Sequence, residues 1–351
     1  MKKSWFLYAA KFLAVNISLL LIIGTIFLGC QEQEDENPPP PPQPEKHLYI
    51  AFGQSNMQGP GEIRTSDKQR ISTRWQTLNV VTGTYASERR EKGQWYRGVP
   101  PLIIPDSGLT NYLGLSIGLG PSDHFGRTMV AGMPELITVG VVAVANGDLA
   151  LSAFRKTGGA AYFSGTSSDT GGTVTLNGVS VNRTSGRPSS TERSGWTRYT
   201  GAGYSSLYDA IVSNVKLAQD GGWIVKGIIL HQGESGRGLE DKSWVEILKE
   251  IYDDILTDCG LAPNSIPILC GQPFGGGSVD TSTGNDGGAN LDYQLNVDNR
   301  IQNTIPNAWV ISSEGCGART GNQQPDGVHF GSAGLQLLGE RYGQKMLELI
   351  E

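Results

Sequence analysis

The stretch HLYIAFGQSNM, residues 47–57, decides the fold of this chain. Its first six residues form an unbroken apolar run with one β-branched side chain, and the run stops at Gly53. An unbroken run, unlike an alternating one, is typical of a strand covered on both faces in a parallel sheet. The polar residues Gln54, Ser55 and Asn56 follow at once, so this strand carries a polar turn at its carboxyl end.

Outward from this stretch, strand and helix patterns alternate along the chain. Further buried strands are predicted at residues 136–145, 223–230, 266–270 and 308–312. Helical patterns are predicted at residues 122–131, 205–218, 240–256, 291–302 and 332–350. The alternation predicts an α/β fold, a doubly wound sheet of about five parallel strands with helices on both faces. In such sheets, ligands bind beyond the carboxyl ends of the strands.

Two stretches interrupt the alternation and are predicted to be long loop insertions. Residues 59–118 hold Arg, Trp, Pro and Gly without clear periodicity, and residues 157–204 are rich in Gly, Ser and Thr. Asn177-Gly178 in the second stretch is flanked by β-branched runs, which is a hairpin signal. We expect both stretches to form walls of a cleft. Their aromatic side chains are equally suited to lining a binding surface and to anchoring the loops, and they are Trp75, Trp95, Tyr96, Tyr162 and Trp196.

Residues 1–29 have the features of a secretory signal. Two lysines open the chain, and an apolar run from Phe12 ends at Leu28-Gly29 directly before Cys30. This ending resembles the lipobox of a bacterial lipoprotein, whose Cys is lipidated. Residues 1–29 are therefore predicted to be a lipoprotein signal peptide with Cys30 as the lipidation site. The alternative is an uncleaved anchor, because roughly 18 apolar residues just suffice to span a bilayer.

Residues 30–45 are predicted to be an acidic and Pro-rich tether, and residues 46–351 a single domain. The acidic segment 31–36 resembles the surface-export signal of Bacteroidetes lipoproteins. We therefore expect a secreted lipoprotein at the outer membrane or cell surface, or in the periplasm, of a Gram-negative, Bacteroidetes-like bacterium, held to the membrane by its N-terminal lipid.

Charge and cysteine content exclude several classes of function. The 28 basic residues, less the three lysines of the signal, leave 25 against 34 acidic ones, a net charge of about −9. This balance disfavours nucleic acid as a partner. Beyond Cys30, none of Cys259, Cys270 and Cys316 stands in a Cys-x-x-Cys pair, so neither a zinc site nor a redox motif is expected. They are predicted to be buried small hydrophobic residues, with one disulfide as the alternative.

Three short motifs follow predicted strands or precede the last helix. They are GQSNM at residues 53–57, HQGES at residues 231–235 and DGVH at residues 326–329. All three are expected at the carboxyl edge of the sheet. Together they offer a Ser55 nucleophile, a His329 base and an Asp326 that fixes the imidazole tautomer. Donors for the acyl oxyanion are then expected from the backbone N–H groups of Ser55 and Gly147 and the side-chain amide of Gln232.

Each of these residues also has an ordinary interpretation. A serine after a strand is commonly a turn residue, and Asp-Gly is common turn chemistry. The nucleophile-elbow pattern Gly-x-Ser-x-Gly is absent. Of the other histidines, His47 opens a strand and His124 lies in a predicted helix, so neither is expected to be catalytic, whereas His231 is expected beside the site.

The motifs together resemble the SGNH hydrolase superfamily, in its sialate O-acetylesterase-like branch, which includes carbohydrate acetylesterases of family six. The resemblance covers the domain from Leu48 to about Leu347, in the family's order. Its further matches are Gly120-Pro121 with Phe125-Gly126, Leu207-Tyr208-Asp209-Ala210, Lys226-Gly227 and Leu338-Gly339-x-Arg341.

The resemblance implies a flavodoxin-like sheet and an acetyl-ester hydrolase acting on decorated sugars, without metal or cofactor. It implies that Ser55 attacks, His329 acts as base and Asp326 orients it. It also implies that Gln232 donates to the oxyanion and that Glu234 braces its loop. The supporting residues would be Gln54, Asn56, Glu234 and His231.

One segment departs from the family pattern. Relatives usually have Gly-Gly followed by Ser or Thr and a later Trp, where this chain has Ala145-Asn146-Gly147-Asp148 and Phe154. Gly147 keeps the N–H donor, but Asp148 adds a negative charge near the expected oxyanion. The insertion from Thr157 to Gly203 is also unmatched.

The expected function is therefore that of a serine esterase that removes O-acetyl groups from a carbohydrate, an acetylated polysaccharide or a sialic-acid-type glycan, at the bacterial cell surface. The alternative is a catalytically weak glycan-binding surface lipoprotein on the same fold, for which Asp148 is the main support. A thioesterase or lysophospholipase is disfavoured because the predicted cleft loops contain no long apolar run for an acyl chain.

Overall fold

The computed structural model describes residues 43–85, 88–103, 117–147, 149–157, 173–176, 179–182, 197–234, 244–274, 301–318 and 327–350. By its internal contacts the chain divides into two units, Met1–Gln43 and Pro44–Glu351. The predicted signal, Cys30 and most of the predicted tether lie outside the described residues. So do Asp148, Asp326 and most of the predicted helix at 291–302.

The second unit, Pro44–Glu351, contains both strands and helices. The strands are β1 Glu45–Gly53, β2 Gly61–Glu62, β3 Trp75–Leu78, β4 Gly83–Tyr85, β5 Glu88–Arg90, β6 Trp95–Arg97, β7 Ile117–Leu119, β8 Ile137–Ala145, β9 Thr173–Leu176, β10 Val179–Asn182, β11 Ile224–His231, β12 Ile268–Gly271 and β13 Ala308–Ile311. The helices are α1 Ser55–Gln58, α2 Pro121–Gly132, α3 Leu207–Asp220, α4 Trp244–Asp258 and α5 Ser332–Ile350, with 3-10 turns at Thr65–Lys68 and Leu151–Phe154.

A seven-stranded sheet in the order β13-β12-β11-β1-β8-β3-β6 forms the centre of the domain. Every neighbouring pair is parallel except β3 and β6, which are antiparallel. The five strands predicted from the sequence are all present and confirmed. Numbered among themselves, they lie in the order 2-1-3-4-5, which is the flavodoxin-like order. The predicted doubly wound α/β fold is therefore correct.

The prediction that residues 59–118 are only a loop was wrong. This stretch contributes β3, which pairs in parallel with β8, and β6 at the sheet edge. The reason is the burial of Trp75, which is fully buried. Its indole packs against Gly98 and Gly126, so closely that a Cβ on either glycine would overlap it. Burying an aromatic ring of this size offsets the weak local strand pattern. The predicted hairpin around Asn177-Gly178 is confirmed, because β9 and β10 pair antiparallel on either side of it.

The two faces of the sheet carry separate hydrophobic cores. Along β1, Leu48, Ile50 and Phe52 point into the core that holds α3 and α4, whereas Tyr49 and Ala51 point into the core that holds α2 and α5. This alternation is what a strand with helices on both faces requires. Each fully buried side chain of this kind contributes about 1.5–3 kcal/mol to the stability of the fold.

Helices α2 and α5 approach each other closely because α5 presents glycines to α2. A Cβ on Gly339 would lie 2.3 Å from the Pro121 carbonyl oxygen, and one on Gly343 would lie 2.6 Å from the Thr128 Cβ. Helix α2 begins with Pro121, and the Asp123 carboxylate accepts a hydrogen bond from the Gly120 N–H at 3.0 Å. This close packing fixes α5, and with it the segment that leads into α5.

The three described cysteines are free and buried, as predicted for small hydrophobic residues. Burial raises the pKa of the Cys259 thiol to about 11. Within the described ranges, no group of three or more His, Cys, Asp or Glu side chains is placed to hold a metal ion.

Among the described residues, no helix has both the length and the apolar character to cross a bilayer.

Candidate active site

The polar turn after β1 lies at the carboxyl edge of the sheet, against the end of β11. Gly53 has φ 149°, and a Cβ there would lie 2.0 Å from the His231 carbonyl oxygen, so only glycine allows this approach. The next residue, Gln54, donates its backbone N–H to the same oxygen at 3.0 Å. The chain then turns into α1, which begins with Ser55. The geometry of two neighbouring strands therefore sets the position of Ser55.

Ser55 and His329 form a hydrogen-bonded pair at this edge. The distance between His329 Nε2 and Ser55 Oγ is 2.8 Å, although the residues are 274 positions apart in the chain. Both side chains are only partly buried, so this pair is reachable from solvent. Two of the three residues predicted to be catalytic are thus brought together. The third, Asp326, lies outside the described residues.

Asn56 lies directly beneath this pair and is fully buried. Its Nδ2 donates to Glu234 Oε1 at 2.6 Å and to the Val328 carbonyl oxygen at 3.0 Å. Its Oδ1 accepts the Phe330 backbone N–H at 3.2 Å. Asn56 therefore connects the turn that holds Ser55, the end of β11 and the backbone on both sides of His329.

Glu234 and His231 form a second pair, and it is buried. His231 Nε2 lies 3.0 Å from Glu234 Oε1, with side-chain exposures of 0% and 3%. Burial alone raises the pKa of Glu234, but the charge of His231 and the hydrogen bonds from His231 and Asn56 outweigh it and hold that pKa below its ordinary value. Tyr342 of α5 closes this cluster, because its hydroxyl donates to the Leu230 carbonyl oxygen at 2.6 Å and lies 3.4 Å from His231 Nδ1.

Two of the three groups predicted to donate to an oxyanion, those of Gly147 and Gln232, have other contacts in this structure. The Gly147 N–H donates to Gln58 Oε1 at 2.8 Å. Gln232 is fully buried, and its Nε2 donates to Gln54 Oε1 at 3.3 Å and to the Leu149 carbonyl oxygen at 3.0 Å. The oxyanion roles of Gly147 and Gln232 therefore stay predictions. A substrate oxygen at the Gly147 N–H would have to take the place of Gln58 Oε1.

A small cleft lies at the carboxyl ends of β3 and β8. It is open to solvent and is lined by Asn79, Val80, Val81, Leu102, Ile103, Ala143, Arg198 and Tyr199. The Tyr199 hydroxyl hydrogen-bonds the Ala145 backbone, and Arg198 Nη2 donates to Asn146 Oδ1 at 3.2 Å. Both predicted loop insertions therefore contribute walls to this cleft, as expected.

The described aromatic residues of the insertions serve as anchors. Trp75 is buried in the core, and Trp95 stacks on Trp223 at a centroid distance of 3.9 Å. The Tyr96 hydroxyl accepts the Glu91 backbone N–H at 2.8 Å. Tyr162 and Trp196 lie outside the described residues.

Sequence reasoning missed three residues of this site. Gln58 follows the nucleophile motif but was given no role, and its amide is recognisable only once Gly147 is placed beside it. Tyr342 lies within the helical pattern at residues 332–350, which assigns it no role in the site, although a buried tyrosine hydroxyl usually finds a hydrogen-bond partner. Trp244 Nε1, which donates to Gln232 Oε1 at 2.5 Å, had no sequence signal at all.

Comparisons with known proteins bear on the family and the fold of this chain. A family model described as "Carbohydrate esterase, sialic acid-specific acetylesterase" matches residues 45–168 and 187–348. Among solved structures, a protein from Arabidopsis thaliana is similar with a TM-score of 0.53 and 15% identity, over 88% of this chain and 100% of that chain. The structure titled NanS is similar with a TM-score of 0.54 and 16% identity, over 88% of this chain and 98% of that chain. At these identities the likeness to solved structures shows the fold.

Proposed function

This chain belongs to the carbohydrate esterase family of sialic acid-specific acetylesterases, and from that premise we propose that Ser55 and His329 catalyse its ester hydrolysis. The family makes the protein a carboxylic ester hydrolase, an acetylesterase that acts on carbohydrates. The observation that carries the proposal for these two residues is the 2.8 Å hydrogen bond between His329 Nε2 and Ser55 Oγ, at a solvent-accessible edge of the sheet.

The proposed reaction has two halves. Ser55 Oγ attacks the acetyl carbonyl carbon while His329 Nε2 takes the hydroxyl proton. The tetrahedral intermediate collapses when His329 returns that proton to the departing sugar oxygen, which leaves an acetyl group on Ser55. A water molecule then attacks the acetyl group, again giving its proton to His329. Acetate leaves as Ser55 recovers the proton.

The negative oxygen of each tetrahedral intermediate needs preset donors. We assign this role to the backbone N–H groups of Ser55 and Gly147, with the substrate oxygen displacing Gln58 Oε1 from Gly147. The Gln232 amide would join them by exchanging one of its present contacts. Asp326, three residues before His329, is proposed to accept a hydrogen bond from His329 Nδ1 and so to fix the imidazole with Nε2 facing Ser55.

The proposed location is the surface of a Gram-negative bacterium, where the N-terminal lipid on Cys30 would hold the domain to the membrane. The support is in the sequence: an apolar run that ends at Leu28-Gly29-Cys30, followed by an acidic and Pro-rich tether. The proposed substrate is an acetylated polysaccharide or a sialic-acid-type glycan.

A second candidate is a surface glycan-binding protein with little turnover. It is favoured by Asp148, a negative charge next to the proposed oxyanion donor Gly147. Sugar binding measured by calorimetry, without acetate release from any acetylated glycan, would favour this candidate over the esterase.

The test is acetate release from 4-nitrophenyl acetate, acetylated xylan and O-acetylated sialic acid. We expect the wild-type protein to release acetate from at least one of the sugars and Ser55→Ala to lower kcat about 10⁴-fold or more, because the nucleophile is gone. Ser213→Ala, which removes an exposed hydroxyl on α3, is the matched control and should leave kcat unchanged. Full activity in Ser55→Ala would contradict the mechanism.

A further inference from the structure

We infer that Asn56 is the positioning residue for His329, and that Glu234 fixes the orientation of the Asn56 amide. This inference rests on the proposed function, because it concerns the proton transfer between Ser55 and His329. It gives the buried cluster beneath the nucleophile a specific task, which is to hold the base at hydrogen-bonding distance from Ser55 Oγ.

The first argument is where the contacts of Asn56 fall. One goes to the Val328 carbonyl oxygen, directly before His329, and one to the Phe330 N–H, directly after it. Fixing the peptide groups on both sides of a residue fixes its Cα and the direction of its Cβ. Asn56 is also the neighbour of Ser55, so one side chain holds the base relative to the backbone of the nucleophile.

The second argument is the direction of the amide. An asparagine amide has two chemically different ends, and turning it over would place its oxygen against the Val328 carbonyl oxygen. Glu234 Oε1 is a pure acceptor when ionised and lies 2.6 Å from Asn56 Nδ2, so it selects the observed direction. His231 Nε2 lies 3.0 Å from the same oxygen and hydrogen-bonds it. Phe330 packs edge-on against the His231 ring at a centroid distance of 5.5 Å, which holds this end of the segment in place.

The consequence for catalysis is specific. Without the hydrogen bonds of Asn56, the segment that holds His329 keeps only its other packing contacts. A displacement of the His329 imidazole by about 1 Å costs about 100-fold in rate. Asn56 is 0% exposed, so no sugar contact is lost with it. The loss should therefore fall on kcat and leave KM unchanged.

The experiment compares Asn56→Ala with Asn214→Ala in the full-length chain. Asn214 is the matched control, a buried asparagine on α3 whose Nδ2 donates to the Tyr204 hydroxyl and to the Ala210 carbonyl oxygen, both at 2.7 Å. Both substitutions remove buried hydrogen bonds, and both should lower the Tm. Only Asn56→Ala should lower kcat, by about 100-fold with KM unchanged.

A second readout does not depend on sugar binding. A fluorophosphonate reagent forms a P–O bond with an activated serine as fluoride leaves, so its labelling rate reports how well His329 serves Ser55. We expect Asn56→Ala to slow the labelling of Ser55 in parallel with kcat, and Asn214→Ala to label at the wild-type rate. Wild-type kcat and labelling in folded Asn56→Ala would overturn the inference.

The Glu234 variants keep the inference testable if Asn56→Ala folds poorly. Glu234→Gln retains an oxygen that accepts from Asn56 and His231, so kcat should survive although the Tm falls. Glu234→Ala removes that oxygen and should lower kcat towards the level of Asn56→Ala. Equal kcat in the two Glu234 variants would count against the inference. If the wild-type protein releases no acetate, or if Ser55→Ala keeps full activity, the proposed function itself is contradicted.

Discussion

Two histidine pairs lie at the same edge of the sheet, and they differ in what surrounds them. His231 and Glu234 are buried, 3.0 Å apart, with Tyr342 and Asn56 completing the cluster. His329 and Ser55 are 2.8 Å apart and only partly buried. A buried carboxylate is costly to leave without its hydrogen-bond partner, and a buried pair cannot reach a substrate. A histidine that is accessible and lies next to a hydroxyl can exchange protons with a bound substrate. Each pair contains a histidine, and its burial and its partner together separate the proposed catalytic pair from the buried one.

The largest effect should separate the two histidines directly. His329→Ala is expected to lower kcat about 10⁴-fold while leaving the free energy of unfolding nearly unchanged, because the base is lost but no buried charge is exposed. His231→Ala should do the reverse. It leaves the Glu234 charge buried without its partner and lowers the unfolding free energy by about 3 kcal/mol, with a far smaller fall in kcat. Denaturant titration would measure the free energy of unfolding and acetate release would measure kcat. A large loss of stability in His329→Ala with a large loss of kcat in His231→Ala would contradict this assignment of the two pairs.

A smaller effect should follow from crowding the buried pair. A Cβ on Gly271 would lie 2.1 Å from the Tyr342 hydroxyl and 2.5 Å from His231 Nδ1. Gly271→Ala is therefore expected to lower the unfolding free energy by about 1–3 kcal/mol, because the cluster must shift to make room. Gly201→Ala is the control, since a Cβ there meets no atom within 4 Å. Equal Tm values for the two variants would show that the cluster around His231 and Tyr342 rearranges at little cost in stability.

The smallest effect concerns the charge of Glu234 as the pH falls. Its pKa in the folded protein lies below the ordinary value of 4.5, so it contributes stability at higher pH that is lost as the pH falls below about 4.5. The difference in unfolding free energy between the wild type and Glu234→Gln should therefore be steady near neutral pH and shrink on acidification. A difference that stays constant down to about pH 3 would mean that Glu234 is not held ionised by its partners.

The sequence predicted those parts of the fold whose apolar pattern is clear over a short stretch of chain. The five predicted strands were found because their apolar runs are continuous, and the helices because their apolar residues recur every three or four positions. Strand β3 was missed because Trp75–Leu78 contains no continuous apolar run and lies within a stretch rich in Arg, Gly and Pro. What makes it a strand is pairing with β8 and the burial of Trp75, and neither can be read from local sequence.

The same limit applies to the site. Ser55 and His329 were predicted from their motifs, and the structure places them at hydrogen-bonding distance. That Asn56 clamps both sides of His329 was not predicted, because these contacts join residues 272 and 274 positions apart. The contact between Gln58 and Gly147 depends on a side-chain rotamer, which sequence does not specify.

The distance in sequence between Ser55 and His329 has a consequence for the timing of folding. Contacts this far apart form late, because the entropy of closing such a long loop must be overcome first. The central strand β1 also pairs with β8 and β11, which follow it by about ninety and about one hundred and eighty residues. A partly folded chain would hold a serine without its base and would be chemically silent. Esterase turnover would then serve as a sensitive reporter of complete native folding, lost as soon as the last segment detaches.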